Sequence, residues 1–268
     1  MCPRLLQIGP FTVYGYGLML AVGFILGSYL LSSELKRKGL DQNLGNTITL
    51  IALVAGIVGS KILFLIEDWS YFLADPIGMA FSPSGLTFYG GFLLATFSIY
   101  LYLKKRSIPF FSVADAIAPG LLLAYGIARI GCHLAGDGDY GYPTSLPWGT
   151  DYSNGTFPPS IAFRNVPEVA RQFPGGIIPD NTPLHPTPVY EFLICGILFW
   201  ILWRVRRTIE PEGKLFMLYL MFAGGERFAI EFLRINPRLA LGLSEAQLIA
   251  LALIGLGLYG WSALSKKP

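Results

Sequence analysis

Charge is what this sequence has least of. Only 14% of its 268 residues are Asp, Glu, Lys or Arg, where a soluble domain carries roughly a quarter. A globular chain of this length could bury a large core, but it would need a charged skin, and these residues are too few to make one. Cysteine occurs three times and histidine twice. Cys2, Cys132 and Cys195 lack C-x-x-C spacing, so neither a disulfide framework nor a zinc site is indicated, and no metal or cofactor is expected. A net charge of +3 and a pI near 8.7 do not point to nucleic acid. The basic residues fall in short clusters between apolar runs, not in one patch interleaved with exposed aromatics. The N-terminus holds a single Arg4 and no small-residue cleavage site follows its apolar stretch, so the first segment is expected to be a retained helix.

What the chain has instead is apolar length. Hydrophobic residues make up 53% of it, and its mean hydropathy is +0.53. A bilayer core needs about 20 apolar residues per helix. Seven such runs separate, at Val13 to Leu31, Thr47 to Ile66, Leu86 to Leu103, Val113 to Leu134, Thr187 to Trp203, Leu215 to Leu233 and Ala246 to Leu264. Basic clusters follow the odd-numbered runs: Lys36, Arg37 and Lys38; Lys104, Lys105 and Arg106; Arg204, Arg206 and Arg207; Lys266 and Lys267. Lys and Arg stay on the cytoplasmic side of short loops. The expectation is an all-α polytopic membrane protein of seven transmembrane helices, N-terminus outside and C-terminus cytoplasmic, forming one domain over residues 1–268. Residues 136–186, rich in Pro, Gly, Asn and Asp, are expected to form a small extracytoplasmic cap. Within it, residues 165–173 read as a short helix with Asn165 as N-cap and Pro167 in the first turn.

Asp115, Arg129, Glu191, Glu226, Arg227, Glu231 and Arg234 interrupt these apolar helices or sit at their edges. Each costs several kcal/mol in lipid unless paired or hydrated, so together they imply a polar interior site. Arg227, Glu231 and Arg234 stand at i, i+4 and i+7 and share one helix face, which suits a ligand site or a buried ion-pair lock equally well. After Arg129 the sequence breaks into a turn containing Gly131, Gly136, Gly138 and Gly141, with Asp137 inside it. A guanidinium fork beside Gly-rich backbone N–H groups suits a phosphate, and the plainer alternative is an arginine anchored at headgroup level. Two more helix starts converge on this leaflet. Gly85-Leu-Thr-Phe-Tyr-Gly-Gly91 brings Tyr89, Gly90 and Gly91; Leu184-His-Pro-Thr-Pro-Val-Tyr-Glu-Phe192 brings His185, Tyr190 and Glu191. Singly, an interfacial Tyr is an aromatic anchor and a His before Pro is a cap.

Read in order, these blocks resemble the prolipoprotein diacylglyceryl transferase family of bacterial membranes. The resemblance covers nearly the whole chain: Ile8-Gly-Pro and Tyr16-Gly-Leu-Met19, Gly59-Ser-Lys61, Ala74-Asp-Pro76, Gly85 to Gly91, Asp115 with Ala118-Pro119, Ala128-Arg-Ile-Gly131 with its turn, His185-Pro-Thr-Pro-Val-Tyr-Glu191, and Arg227 through Glu231 to Arg234. It implies a seven-helix enzyme of the bacterial inner membrane whose partners are phosphatidylglycerol and the lipobox segment of a prolipoprotein. The diacylglyceryl group would pass to the lipobox cysteine, forming a thioether and releasing glycerol phosphate. The resemblance makes Arg129 and Arg227 central to binding or catalysis and puts Tyr16 and Glu231 on motif positions. Two positions depart from the pattern: Tyr89 stands where the family commonly has histidine, and Cys132 where it commonly has asparagine. Asp137 takes the acidic position of the turn, and Gly-Asp-Tyr-Gly runs one residue longer than usual. The proton acceptor therefore has to be sought elsewhere. His133, His185 and a Tyr89 perturbed by arginine are the candidates; His133, four residues after Arg129, ranks first, with Tyr89 as a hydrogen-bond donor to substrate. Two other readings remain open: a non-catalytic lipid- or lipoprotein-binding relative, and a transporter using Asp115 and Glu226. Against transport stand the absence of an internal repeat and a site at one leaflet.

Overall fold

The computed structural model describes residues 1–9, 11–82, 85 and 87–266. Long helices dominate these residues: α1 (Gly15–Arg37), α2 (Asn43–Glu67), α3 (Phe88–Lys105), α4 (Phe110–Ala135), α5 (Thr187–Val205), α6 (Lys214–Ile230) and α7 (Glu245–Ser265). Five of them, α1, α2, α4, α5 and α7, are long and apolar enough to cross a membrane. The chain is thus a mostly helical, multi-pass membrane protein. Leu86, the expected start of the third run, and Lys267 lie outside the described residues.

At two boundaries an expected helical run gives way to another kind of structure, each for a local reason. Val13 begins no helix; it lies in β2 (Phe11–Tyr14), which pairs antiparallel with β1 (Arg4–Ile8) across a turn where Gly9 takes φ +58°. Thr12, Val13 and Tyr14 suit a strand better than a helix start. At the other end, α6 stops at Ile230, a single 3-10 turn covers Glu231–Leu233, and Arg234 is extended. Asn236 precedes Pro237, a placement that disfavours helix. The chain then forms the small hairpin of β3 (Arg238–Ala240) and β4 (Leu243–Ser244). Ser244 opens α7 with a full capping box, its side chain accepting from Gln247 N while Gln247 Oε1 accepts from Ser244 N.

The chain forms two compact units, Met1–Gly27 with Ile117–Pro268, and Ser28–Ala116. In the first unit, Leu122, Cys195, Leu202 and Leu215 make an apolar core joining α4, α5 and α6. Residues 136–186 have a separate core of Tyr140, Tyr152, Ala162, Phe163, Val169, Ile178 and Leu184. The short helix expected there occupies only Pro167–Ala170, and its N-cap position is Val166 rather than Asn165. Pro167 does fall in its first turn.

In the second unit, α2 and α3 approach through glycine. A Cβ on Gly90 would collide with the Gly59 carbonyl and Leu63, and one on Gly59 with the Gly90 carbonyl and Leu94. Gly91 faces Ser60 and the Gly56 carbonyl in the same way. Small residues let membrane helices pack backbone to backbone, where lipid supplies no hydrophobic drive for association. Gly90 and Gly91, expected at the substrate, therefore have a packing role against α2. Lys38 lies 3.8 Å from Asp115 at the far end of this unit. The glycine contact predicts that Gly59→Ala destabilises the protein by about 1–3 kcal/mol, the usual cost of overpacking. Gly56→Ala, on the same helix with open space around its Cβ, should change thermal stability in detergent little. Equal melting temperatures for the two variants would contradict this packing.

Candidate functional site: an arginine–carboxylate network

Glu191 lies one turn into α5, which follows the His185-Pro186 step, and its side chain is fully buried. A carboxylate there is tolerable only with cationic partners. Arg129 from α4 places Nε 3.1 Å from its Oε2, and Arg227 from α6 places Nη1 3.1 Å from its Oε1. Arg234, just past α6, brings Nη1 to 3.9 Å. The Tyr125 hydroxyl lies 3.4 Å from Oε1, and its ring carries the Arg129 guanidinium 4.7 Å from the ring centre.

Two further carboxylates complete the network. Glu231, also fully buried, sits 2.9 Å from Arg227 Nη2 and 3.7 Å from Arg234 Nε. Its other oxygen accepts from Asn236 Nδ2 at 2.7 Å. Asp139 bridges two arginines, one oxygen on Arg129 Nη1 and the other on Arg234 Nη2. Three guanidiniums thus meet three carboxylates. The Oε2 atoms of Glu191 and Glu231 and Nε of Arg234 lie within ion-pair range without hydrogen-bond geometry. Electrostatics rather than directional bonding therefore holds part of the network.

The turn after α4 is built to deliver Asp139. Gly136 adopts φ +58°, the left-handed conformation that ends a helix at little steric cost, and its N–H bonds back to the Cys132 carbonyl at 2.9 Å. Backbone bonds then clamp the turn between two helix ends. Gly141 N donates to the His185 carbonyl at 2.9 Å and Tyr142 N to the Leu233 carbonyl at 3.0 Å. The Asp139 carbonyl accepts from Thr187 Oγ1 at 2.5 Å and Arg234 Nη1 at 3.0 Å. Burial would raise the Asp139 carboxyl, but Arg234 and Arg129 outweigh it and hold the group at about 2. Burial and neighbouring Asp139 push Asp137 the other way, upward.

Of the two carboxylates in this turn it is Asp139, rather than Asp137, that pairs with the arginines. Cys132 Sγ is 3.7 Å from Arg129 Nη1. Ligand atoms of Cys132, Asp137 and Asp139 lie within 4.8 Å of one another, but a cation there would face the two guanidiniums that already neutralise Asp139.

The remaining expected site residues are more dispersed. Tyr16 is exposed, and its backbone packs on Gly131, where an added Cβ would stand 3.1 Å from the Tyr16 Cα. His133 puts Nδ1 3.0 Å from the Tyr152 hydroxyl. His185 puts Nδ1 3.2 Å from the Tyr190 hydroxyl, which also accepts from Trp148 Nε1 at 2.8 Å. Tyr89 belongs to the second unit, with its ring edge-on to Phe88 at 5.8 Å. Sequence reasoning did not assign Tyr125, Asn236 or Arg238 to this site. Arg238 Nη2 donates to the Glu231 carbonyl at 3.1 Å and its Nη1 to Gln247 Oε1 at 2.8 Å, tying the network to the start of α7.

Comparison with known proteins gives one consistent family. Residues 3–263 match the family described as prolipoprotein diacylglyceryl transferase. A Clostridium tetani protein named phosphatidylglycerol–prolipoprotein diacylglyceryl transferase is 33% identical over 97% of this chain and 96% of its own length. Proteins of the same name from Dehalococcoides mccartyi and Clostridioides difficile are 32% and 29% identical, over 95% and 96% of this chain and 90% and 95% of their own.

The low Asp139 carboxyl makes a stability prediction. A carboxylate whose folded value lies below its unfolded one stabilises the fold above the unfolded value and loses that contribution as pH falls through the folded one. A change from 3.8 to about 2 corresponds to about 2 kcal/mol. Asp139→Asn should lower stability by about that amount at pH 7. The gap to wild type should close between roughly pH 4 and pH 2. Thermal melts in detergent across this range check it, and a gap independent of pH would contradict it.

Proposed function

Because the chain belongs to the prolipoprotein diacylglyceryl transferase family, we propose that it transfers the diacylglyceryl group of phosphatidylglycerol to the lipobox cysteine of prolipoproteins, with the arginine–carboxylate network as its reaction centre. The observation that carries this reading is the convergence of Arg129 and Arg227 on Glu191. Both arginine side chains are partly exposed, at 19% and 24%, while the side chain of the glutamate between them is at zero.

This arrangement suits the chemistry. Sulfur must displace a phosphate ester from a primary carbon, in line, as charge grows on the leaving phosphate. Arg129 commits Nε and Nη1 to Glu191 and Asp139, which orients the remaining edge of its fork. Arg227 is held likewise by Glu191 and Glu231. Guanidiniums fixed in this way meet the developing charge without reorganising. Tyr16, Gly131, Gly136, His185 and Tyr190 line the same unit and are assigned to substrate binding, with Arg234 supporting the network from behind.

The membrane frame belongs to the same reading. All seven helices cross the inner membrane, with residues 136–186 outside and every basic cluster cytoplasmic. Reporter fusions after Lys38 and Lys105 should read cytoplasmic and a fusion at Gly155 external; a cytoplasmic signal at Gly155 would overturn this topology.

Replacing Arg129 or Arg227 by Lys keeps the charge and loses the planar fork. Turnover of a lipobox peptide with phosphatidylglycerol vesicles should fall at least about tenfold, or about 1.4 kcal/mol of transition-state stabilisation. Unchanged turnover in both variants would reduce the two residues to structural ion pairs.

A further inference from the structure

The transfer releases one proton, from the thiol, and the network offers few groups to receive it. Guanidiniums do not accept protons. Asp139 is held by Arg129 and Arg234, Glu231 by Arg227 and Arg234, and Glu191 by all three arginines. His133 is engaged with Tyr152, and His185 with Tyr190.

Glu226 differs from all of these. It is 5% exposed, and among the described residues its Oε1 is buried without a hydrogen-bond partner. A polar group left so in an apolar interior costs free energy that folding alone does not explain. Its position follows from helix spacing. On α6 it lies three and four residues beyond Ala223 and Phe222, which pack on the apolar core of Leu122, Cys195 and Leu202. Tyr125 lies four residues before Arg129 on α4, and Cys195 four residues after Glu191 on α5. Cys195 is thus the edge of that apolar core nearest the arginine network, and by the same spacing Tyr125 and Glu226 lie where the core meets the network. The charged and titratable groups within electrostatic reach of Glu226 are Tyr125 and Arg129 on α4, Glu191 and Cys195 on α5, and Arg227 and Arg234 on its own side. From α7, the neighbouring helix, Ala250 and Ile254 pack against Gly224.

We infer that Glu226 is the proton acceptor of the transfer, acting from where the apolar core meets the arginine network. The inference rests on the transferase reading. The thiol S–H bond breaks and its proton passes to Glu226 Oε1. The sulfur electron pair forms the S–C bond to the terminal glyceryl carbon. The C–O bond breaks with its pair on the phosphate oxygen, and glycerol phosphate leaves against Arg129 and Arg227. The carboxyl then returns its proton to solvent or to the departing phosphate. The sequence carries no histidine at position 89, and this carboxyl supplies the missing acceptor from another helix.

A nucleophile that needs no base separates this role from a structural one. Full-length wild type and Glu226→Gln are assayed in phosphatidylglycerol vesicles with two lipobox peptides, one carrying cysteine and one selenocysteine, whose selenol is already ionised at neutral pH. Removing a general base should cost about a hundredfold with the cysteine peptide, while the selenocysteine peptide keeps nearly the wild-type rate. Equal losses with both peptides, or no loss with cysteine, would overturn the inference. If Glu226→Gln does not fold, Glu226→Asp, which keeps a carboxyl but withdraws it, is put through the same comparison. It should slow cysteine more than selenocysteine, and an unchanged ratio of rates overturns the role. Wild type that transfers to neither peptide refutes the transferase reading itself, and this inference with it.

Discussion

A single buried carboxylate sets the terms for the arginine–carboxylate network. Glu191 has no solvent contact, so its charge must be met by protein. The three cations that meet it come from α4, α6 and the segment after α6. Those cations are as expensive in lipid as the carboxylate, so each element can sit at membrane depth only because the others do. Removing one partner from a buried pair leaves an uncompensated charge and typically costs about 3–5 kcal/mol. The relative heights of the three segments are therefore fixed to within the reach of a salt bridge. Hydrophobic packing of Leu122, Cys195, Leu202 and Leu215 could not set them so narrowly, since apolar contacts tolerate sliding.

The same requirement shapes the turn after α4. Together Arg129, Arg227 and Arg234 exceed what Glu191 and Glu231 can balance, and a third acid is needed at a defined place. Gly136 ends the helix, and backbone bonds from Gly141 and Tyr142 anchor the turn to the start of α5 and the end of α6, so Asp139 arrives between the two guanidiniums. The segment that follows has a core of its own. The His133–Tyr152 hydrogen bond connects that core to the last turn of α4, and with it to the region that holds Arg129.

Much of this was legible in the sequence because charges in apolar runs are rare and helical spacing is rigid. The membrane class, the long helices and the grouping of Arg129, Glu191, Arg227, Glu231 and Arg234 all follow from those two facts. The reading stopped where the chain leaves helical periodicity. In the turn, side-chain direction depends on individual φ values, and spacing does not say that Asp139 rather than Asp137 turns to the arginines. At Gly90 and Gly91, helix spacing does not say whether a glycine faces a ligand or a neighbouring backbone; only the contact with Gly59 does. Glu226 was visible as an anomalous charge, but that its Oε1 has no hydrogen-bond partner among the described residues is a tertiary fact. An adjacent arginine in sequence suggests pairing, yet neighbouring positions on a helix point about 100° apart, and Arg227 turns to Glu191 and Glu231 instead.

Charge balance in the network has a consequence for an anionic lipid. A site whose three guanidiniums are matched by three carboxylates offers little net attraction to a phosphodiester, so affinity cannot come from excess charge. What it offers is orientation. Arg129 and Arg227 are each held on one side by carboxylates that cannot move without breaking a second pair, leaving their remaining donors aimed in a fixed direction. As the ester bond breaks, the phosphate gains charge, and fixed donors in a low-dielectric setting favour that state more than the diester. The ground state gains less from them because the carboxylates compete for the same cations. In the proposed transfer such a network spends its electrostatics on the transition state, the discrimination that accelerates a reaction instead of merely holding its substrate.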